Sequence, residues 1–390
     1  MKKKILFLCS NMDIGGFQKS LVSLLRCLDY EKYEVDLLLF NPTGIFMDLI
    51  PKEVNILPTV IEPEYFASGK NAVLAMLKKG KLWKALVRLI SCGLWVFDKS
   101  IGAACMIQAV PGVRKDYDAA IDYNGQHILY YMVDKICAKR KISFFHSDYQ
   151  RWPYYKRADR KYYRKVDAIV TVSDECVASM KIVFPEYSGK IHCIENINSG
   201  RTVNLFPPND NPFADGFDGK RLVTVGRVCR DKGLDFVFEA LSKLRAEGYP
   251  VKWYMVGPLT EEAFYQEMIE QNGNTDQLVL LGATSNPYDY MRNADIIVHP
   301  SRFEGKAVAV EEAKILRKPI VATNFSTVHD QIIDGETGLI VDMNGQAVYE
   351  GIKRLLDDRA LYQHIVETQA MTCFGNESEV EKLYQLIEGT

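Results

Sequence analysis

DIIVHPSRFEGKAVAVEEAKILRKPIVA, residues 295–322, carries the densest structural signal in the chain. A β-branched run from Asp295 to Val298 ends at Pro300, and a polar loop follows. A helical pattern begins near Lys306, and Lys318 and Pro319 return the chain to another apolar run. That is one strand–helix–strand unit of a parallel sheet. Glu304 falls in the loop before the helix, and Glu312 lies inside it. A helix N-terminus offers an anion free backbone amides and the positive end of a dipole. With a phosphate there, Glu304 stands near whatever the phosphate carries. Glu312, roughly 9 Å along the helix at about 1.5 Å per residue, reaches a more distant hydroxylated part. The implied ligand is elongated, anionic in the middle and hydroxyl-rich at both ends. Taken alone, the spacing also fits a Glu304 that merely complements the dipole and a Glu312 on a solvated face beside Glu311.

The surrounding chain supports a soluble, multidomain reading. At 390 residues, with 47% hydrophobic and 25% charged residues, it is long enough for two or three domains with full cores. Nine cysteines are scattered without CxxC or metal-type spacing, as reduced core thiols in a cytosolic protein are. The opening MKKKILFLCSNMD is too short in its apolar part for a signal peptide and reads as a first strand. Residues 1–200 hold 29 Lys and Arg against 21 Asp and Glu, a balance of +8, whereas residues 201–390 hold 19 against 29, or −10. Only the first half therefore suits an anionic surface or substrate, and the acidic second half argues against a nucleic-acid partner.

Read in order, strands and helices alternate. A strand at 5–9 runs into SNMDIGGFQKS and a helix, with Gly15 and Gly16 at a turn that allows close backbone approach to a bound group. The full GxGxxG fingerprint is missing, which counts against a nicotinamide dehydrogenase. Between Lys70 and Phe97 stand six basic residues and no acidic one. On a helical wheel Lys81, Lys84 and Arg88 share one side, and Leu82, Leu86, Leu89, Ile90 and Phe97 the other. Such a helix fits peripheral contact with an anionic membrane through residues 70–97, or equally a core-facing helix with a solvated basic side; it is too charged to span a bilayer.

A strand at 117–123 ends in Asn124 and Gly125, and one at 141–145 carries His146 and Asp148 at the edge where parallel sheets bind ligands. Residues 196–220, rich in Asn, Pro, Gly and Asp, mark the domain boundary. The alternation restarts at Arg221, where RLVTV leads into GRVCRDKGLD. Gly226 and Gly233 tighten that turn, Arg227 can hold phosphate oxygens bidentately and Lys232 adds a point charge. The expected architecture is α/β: two Rossmann-like, doubly wound domains facing a central cleft. Residues 1–196, joined by a terminal helix at 376–390, form the first; 197–219 link it to the second, 220–375.

The GRxxxxKG stretch after the first strand of a second Rossmann-like domain, followed by the E(x7)E stretch of Glu304 and Glu312, resembles the family 4 glycosyltransferases of the GT-B fold. With Gly15-Gly16 the resemblance covers essentially the whole chain. IGGFQKSLVSLL, FFHSDY and EGKAVAVEEAKILRKPIVATNFSTVHDQI are similar to bacterial enzymes that build capsule, teichoic acid or other surface glycans.

The resemblance implies that Arg227 and Lys232 bind a donor diphosphate, Glu312 the ribose hydroxyls, Glu304 the sugar hydroxyls, and the amides of Gly305, Lys306 and Ala307 the phosphate. Gly15 and Gly16 approach that phosphate from the other domain. His146 stands near the reacting sugar, and Asp13, Asn124 and Asp148 lie on the acceptor side. Lys306 and Ala307 depart from the apolar residue and Gly or Pro that many family members carry after Glu-Gly; Lys306 bears on which donor sugar fits. The implied activity is retaining transfer of a hexose-type sugar from a nucleotide diphosphate, UDP favoured over GDP, to a lipid-linked or surface-glycan acceptor. It needs no cofactor and no metal, and it works in the cytoplasm, at the inner membrane face. An epimerase or phosphorylase on the same fold, or a non-catalytic sugar-nucleotide-binding subunit, are the alternatives.

Overall fold

The computed structural model describes residues 2–389 except 14, 153, 154, 205, 207, 210, 211, 274, 275 and 373. The chain divides into two units. One comprises Met1–Asp13, Phe17–Asn196 and Ser378–Thr390, the other Ile14–Gly16 and Ile197–Glu377.

The first unit is built on a parallel sheet of β1 (Lys3–Cys9), β2 (Tyr33–Leu39), β3 (Asn55–Ile56), β4 (Asp116–Asp122), β5 (Cys137–Phe145), β6 (Ala168–Thr171) and β7 (Ile191–Cys193). Their order is β3-β2-β1-β4-β5-β6-β7. β1 lies inside the sheet between β2 and β4, and Ile5 to Cys9 are fully buried, because helices cover both faces of such a sheet and leave no side for polar alternation. The terminal helix Glu379–Glu388 belongs to this unit: Tyr384 stacks on Tyr33 at 5.0 Å, and its hydroxyl accepts from the Asp29 amide at 2.7 Å.

The second unit holds β8 (Lys220–Val225), β9 (Val251–Val256), β10 (Leu278–Gly282), β11 (Ile296–His299), β12 (Ile320–Thr323) and β13 (Leu339–Val341), again all parallel, in the order β10-β9-β8-β11-β12-β13. In each sheet the order reverses beside the first strand, between β1 and β4 and between β8 and β11. Loops leaving neighbouring strands at such a switch point diverge and open a crevice at the strands' carboxyl ends.

Several elements differ from the expectation. The stretch 70–97 is two helices, Gly69–Lys78 and Leu82–Phe97, because the chain turns at Gly80 with φ +67°. Its faces are also inverted with respect to the core-facing alternative. Arg88 is buried and donates to Ala67 O (3.0 Å) and Ser91 Oγ (2.9 Å), and Lys84 pairs with Glu62 at 2.7 Å. The apolar side carrying Leu82, Leu86, Leu89, Ile90 and Phe97 is exposed. Neither a basic side turned outward nor an apolar side turned to the core describes Lys84 and Arg88.

Near the C-terminus a further helix, Arg359–Met371, follows Gly345–Asp357, capped by the Asp358 carboxylate on the Leu361 amide at 2.9 Å. Within 196–220, read as irregular, residues Gly200–Val203 form a short helix, and Asn196, Asn198, Ser199 and Thr202 are buried.

Candidate functional site

In the second unit, the loops after β8 and β11 leave from the switch point. Gly226 (φ +155°) ends β8, and the loop returns to a helix at Leu234 through Gly233, whose φ is +71°. A Cβ on Gly233 would lie 2.0 Å from Pro300 O, so only glycine lets this turn close onto the end of β11. That approach brings together residues 72 apart in sequence: Lys232 forms an ion pair with Glu304.

The same Glu304 oxygen, Oε1, lies 2.9 Å from His299 Nε2, at the carboxyl end of β11. Burial pushes the Glu304 carboxyl up, but the Lys232 ammonium and the His299 hydrogen bond outweigh it and hold it well below the usual carboxylate range. Glu304 is therefore an anion with an assembled hydrogen-bonding shell. Arg227 is exposed on the neighbouring loop.

The loop that carries Glu304 is fixed at both ends. Arg302 grips Asp235 bidentately at 2.9 and 2.6 Å, and Thr323 Oγ1 donates to Ser301 O at 2.6 Å. Gln331 clamps the other end, donating to Ala307 O (2.9 Å) and accepting from Ala307 N (2.8 Å). Ala307 is consequently extended (φ −75°, ψ 99°), and the helix begins at Val308 rather than near Lys306.

Glu312 then lies a little over one turn into Val308–Ile315, not two. It is buried, and its Oε1 accepts from Tyr288 OH at 2.9 Å. Lys306 is buried as well. Glu311 meets Lys314 at 2.9 Å and Gln331 at 2.8 Å, so this side of the helix is packed.

In the first unit, Asn124 Oδ1 accepts from Ser10 Oγ at 2.6 Å and joins the loops after β4 and β1. Asp122 holds the β4 loop by accepting from the amides of Asn124 (2.9 Å) and Gly125 (2.8 Å). Burial raises its carboxyl to about 7 against those hydrogen bonds.

His146 follows β5, with Nδ1 3.0 Å from Asn196 Oδ1 and its ring among Phe17, Tyr123 and Phe144. Burial pushes its imidazole down to about 4, so it is neutral at pH 7. Asp148 is engaged locally, accepting from Ser179 Oγ and, at 3.0 Å, from the Gln150 amide. Asp13 is exposed; Gly15 precedes the helix Gly16–Cys27 that Gly16 opens.

The structure thus joins Lys232 to Glu304 and ties Asn124 to the loop preceding Asp13. It places Glu312 in a separate contact with Tyr288. His299, Tyr288, Gln331 and Asp122 were not singled out in the sequence. His299 had a signal: like His146, it stands at the carboxyl end of a parallel strand.

Comparison with known proteins bears on the fold and on the family that the chain resembles. Residues 210–370 match the family model described as glycosyl transferases group 1. A capsular polysaccharide biosynthesis glycosyltransferase, CapM of Staphylococcus aureus, is 32% identical over 146 residues, 36% of this chain and 38% of CapM. A lipopolysaccharide core biosynthesis mannosyltransferase, LpcC of Rhizobium leguminosarum bv. viciae, is 28% identical over 209 residues, 51% of this chain and 56% of LpcC. The chain thus aligns with about two fifths to just over half of the length of these relatives. The crystal structure of HepE from Anabaena with UDP and glucose superposes over 100% of both chains with a TM-score of 0.73 at 16% identity, a likeness of fold. The two parallel-sheet α/β units are those of the GT-B fold.

Proposed function

We propose that this chain, of the GT-B fold and with residues 210–370 belonging to the group 1 glycosyl transferases, is a retaining glycosyltransferase of bacterial surface-polysaccharide synthesis. It takes a hexose-type sugar from a nucleotide diphosphate and passes it to a lipid-linked or surface-glycan acceptor at the cytoplasmic membrane face. CapM and LpcC support the glycan class, and the UDP bound to HepE supports UDP over GDP.

The observation that carries the reading is the Lys232–Glu304–His299 cluster at the β8/β11 switch point. Lys232 is poised to exchange its carboxylate partner for a donor diphosphate, joined by the exposed Arg227 and by the amides of Gly305 and Lys306; the Ala307 amide, expected to join them, is instead taken by Gln331. Glu304, kept ionised, then accepts from the sugar hydroxyls, and Glu312 from the ribose. The leaving diphosphate is neutralised by these cations and amides, with no metal and no cofactor required. On the acceptor side His146, neutral at pH 7, can accept or donate a hydrogen bond, beside Asn124, Asp13 and Asp148. Gly15 and Gly16 contribute backbone to the phosphate.

The test is transfer of labelled sugar from UDP- and GDP-sugars to a bacterial membrane extract. Glu304→Ala and Lys232→Ala are each expected to lower transfer by on the order of 10²-fold or more, as removal of one preorganised electrostatic group does, with folding checked by circular dichroism. Full transfer by either variant would sink the assignment.

A further inference from the structure

The helix Leu82–Phe97 is amphipathic the wrong way round for a helix that serves the core. Its buried side holds Ala85, Val87, Arg88 and Ser91, with Arg88 only 6% exposed and Lys84 half-buried beside them. The neighbouring helix Lys99–Ile107 approaches that side through Gly102, where a Cβ would lie 2.8 Å from Trp95 N, so the packing is close and the orientation fixed. Outward, at helical spacing, stand Leu82 (69% exposed), Trp83 (66%), Leu86, Leu89 (60%), Ile90 and Phe97 (89%). Leu74 and Leu77 of the adjoining helix Gly69–Lys78 are exposed beside them. A continuous apolar face of this kind is costly to leave in water and marks a docking surface.

We propose that this face docks on an anionic lipid bilayer, lying in its interface with the apolar side chains in the acyl boundary. Charge selects the occupant. Lys70, Lys78, Lys79 and Lys81 are exposed around the patch; Lys79 meets Glu64 at 2.8 Å and Lys81 meets Glu62 at 3.8 Å, and with no further acidic residue up to Phe97 the rim keeps a positive balance. Anionic headgroups complement that rim, and each lysine near such a surface adds to binding. Trp83 sits where an amphipathic ring belongs, at the level of the headgroups. A second copy of the chain fits poorly, because a two-fold interface sets a patch against itself and would oppose the lysines. The helix lies on the membrane and does not cross it: no helix of the described residues is long and apolar enough to span. The docking face deepens the membrane placement proposed above and rests on it only for which leaflet is met.

The full chain is sedimented with vesicles of phosphatidylcholine alone and of equal parts phosphatidylcholine and phosphatidylglycerol. Wild-type protein is expected on the mixed vesicles at least about tenfold more than on the neutral ones. The double variant Leu86→Asp, Leu89→Asp, whose side chains point outward, is expected to keep its melting temperature and lose binding by about 10²-fold. A Lys78→Gln, Lys79→Gln, Lys81→Gln variant is expected to lose the preference for the anionic vesicles. Wild type left in the supernatant, or a double variant that binds as well as wild type, overturns the proposal. So does a wild-type dimer in sedimentation equilibrium that the double variant abolishes, since the face would then join two copies. The vesicles contain neither donor nor acceptor, so an unbound but active enzyme refutes only the docking face, and a bound but inactive one only the transfer reading.

Discussion

Glu304 shows how much one carboxylate depends on its neighbours. Its charge is held by Lys232 and by His299, and His299 touches nothing else in the proposed chemistry, so it acts through the glutamate. His299→Ala is expected to lower kcat by roughly 10- to 10²-fold while changing donor KM little, as misplacement of a positioned group does. A matched loss in KM alone, read from steady-state kinetics, would assign His299 to packing.

A second residue-scale prediction concerns pH. Burial holds the His127 and His146 imidazoles at about 4 against an ordinary 6.5. The unfolded chain takes up protons that the folded one refuses, so their contribution to stability is intact above pH 6.5 and is lost as pH falls from 6.5 through 4. Two of the six histidine signals in an NMR titration should therefore have midpoints near 4, and His146→Asn should remove one. Lys232, Glu304 and His146 were all legible in the sequence as polar residues at strand ends. The partnership of Lys232 with Glu304 was not, because a contact over 72 positions leaves no local pattern.

At the scale of elements, the turn at Gly233 decides whether the loops after β8 and β11 meet. Gly80 has a similar φ, +67°, but nothing lies within 4 Å of a Cβ placed there. Gly80→Ala should cost only the left-handed strain, about 1 kcal/mol. Gly233→Ala adds a collision with Pro300 O and should cost about 3 kcal/mol or more. Urea unfolding of the two variants measures the difference; equal costs would mean that the close approach is not needed. Strand and helix alternation was legible because apolar runs and Gly or Pro turns punctuate it. The start of the helix at Val308 was not, since Gln331, 24 residues downstream, keeps Ala307 extended.

For the molecule as a whole, the last helix is a long-range tie. Val380, Leu383, Tyr384 and Ile387 are buried against the first unit, far from the strands they cover in sequence. At roughly 1.5–3 kcal/mol for each fully buried apolar side chain, their loss rivals the 5–15 kcal/mol or so that holds a domain together. A chain ending at residue 377 should therefore lose the first unit's fold, seen by limited proteolysis. Fluorescence of Trp253, buried in the second unit, should stay native. Retention of both would show the helix to be dispensable.

The sequence by itself determined two series of parallel strands with their crossover helices, and the polar groups at the strands' carboxyl ends. Those follow from local periodicity and from turn chemistry, which neighbouring residues specify. Only the tertiary structure decided which groups share a crevice, and which way the helix Leu82–Phe97 faces. Periodicity says that a helix has two sides, not which one the rest of the chain will cover. Here Glu62, Ala67 O and the close approach of Gly102 draw Lys84, Arg88 and Ser91 inward and leave the leucines outside.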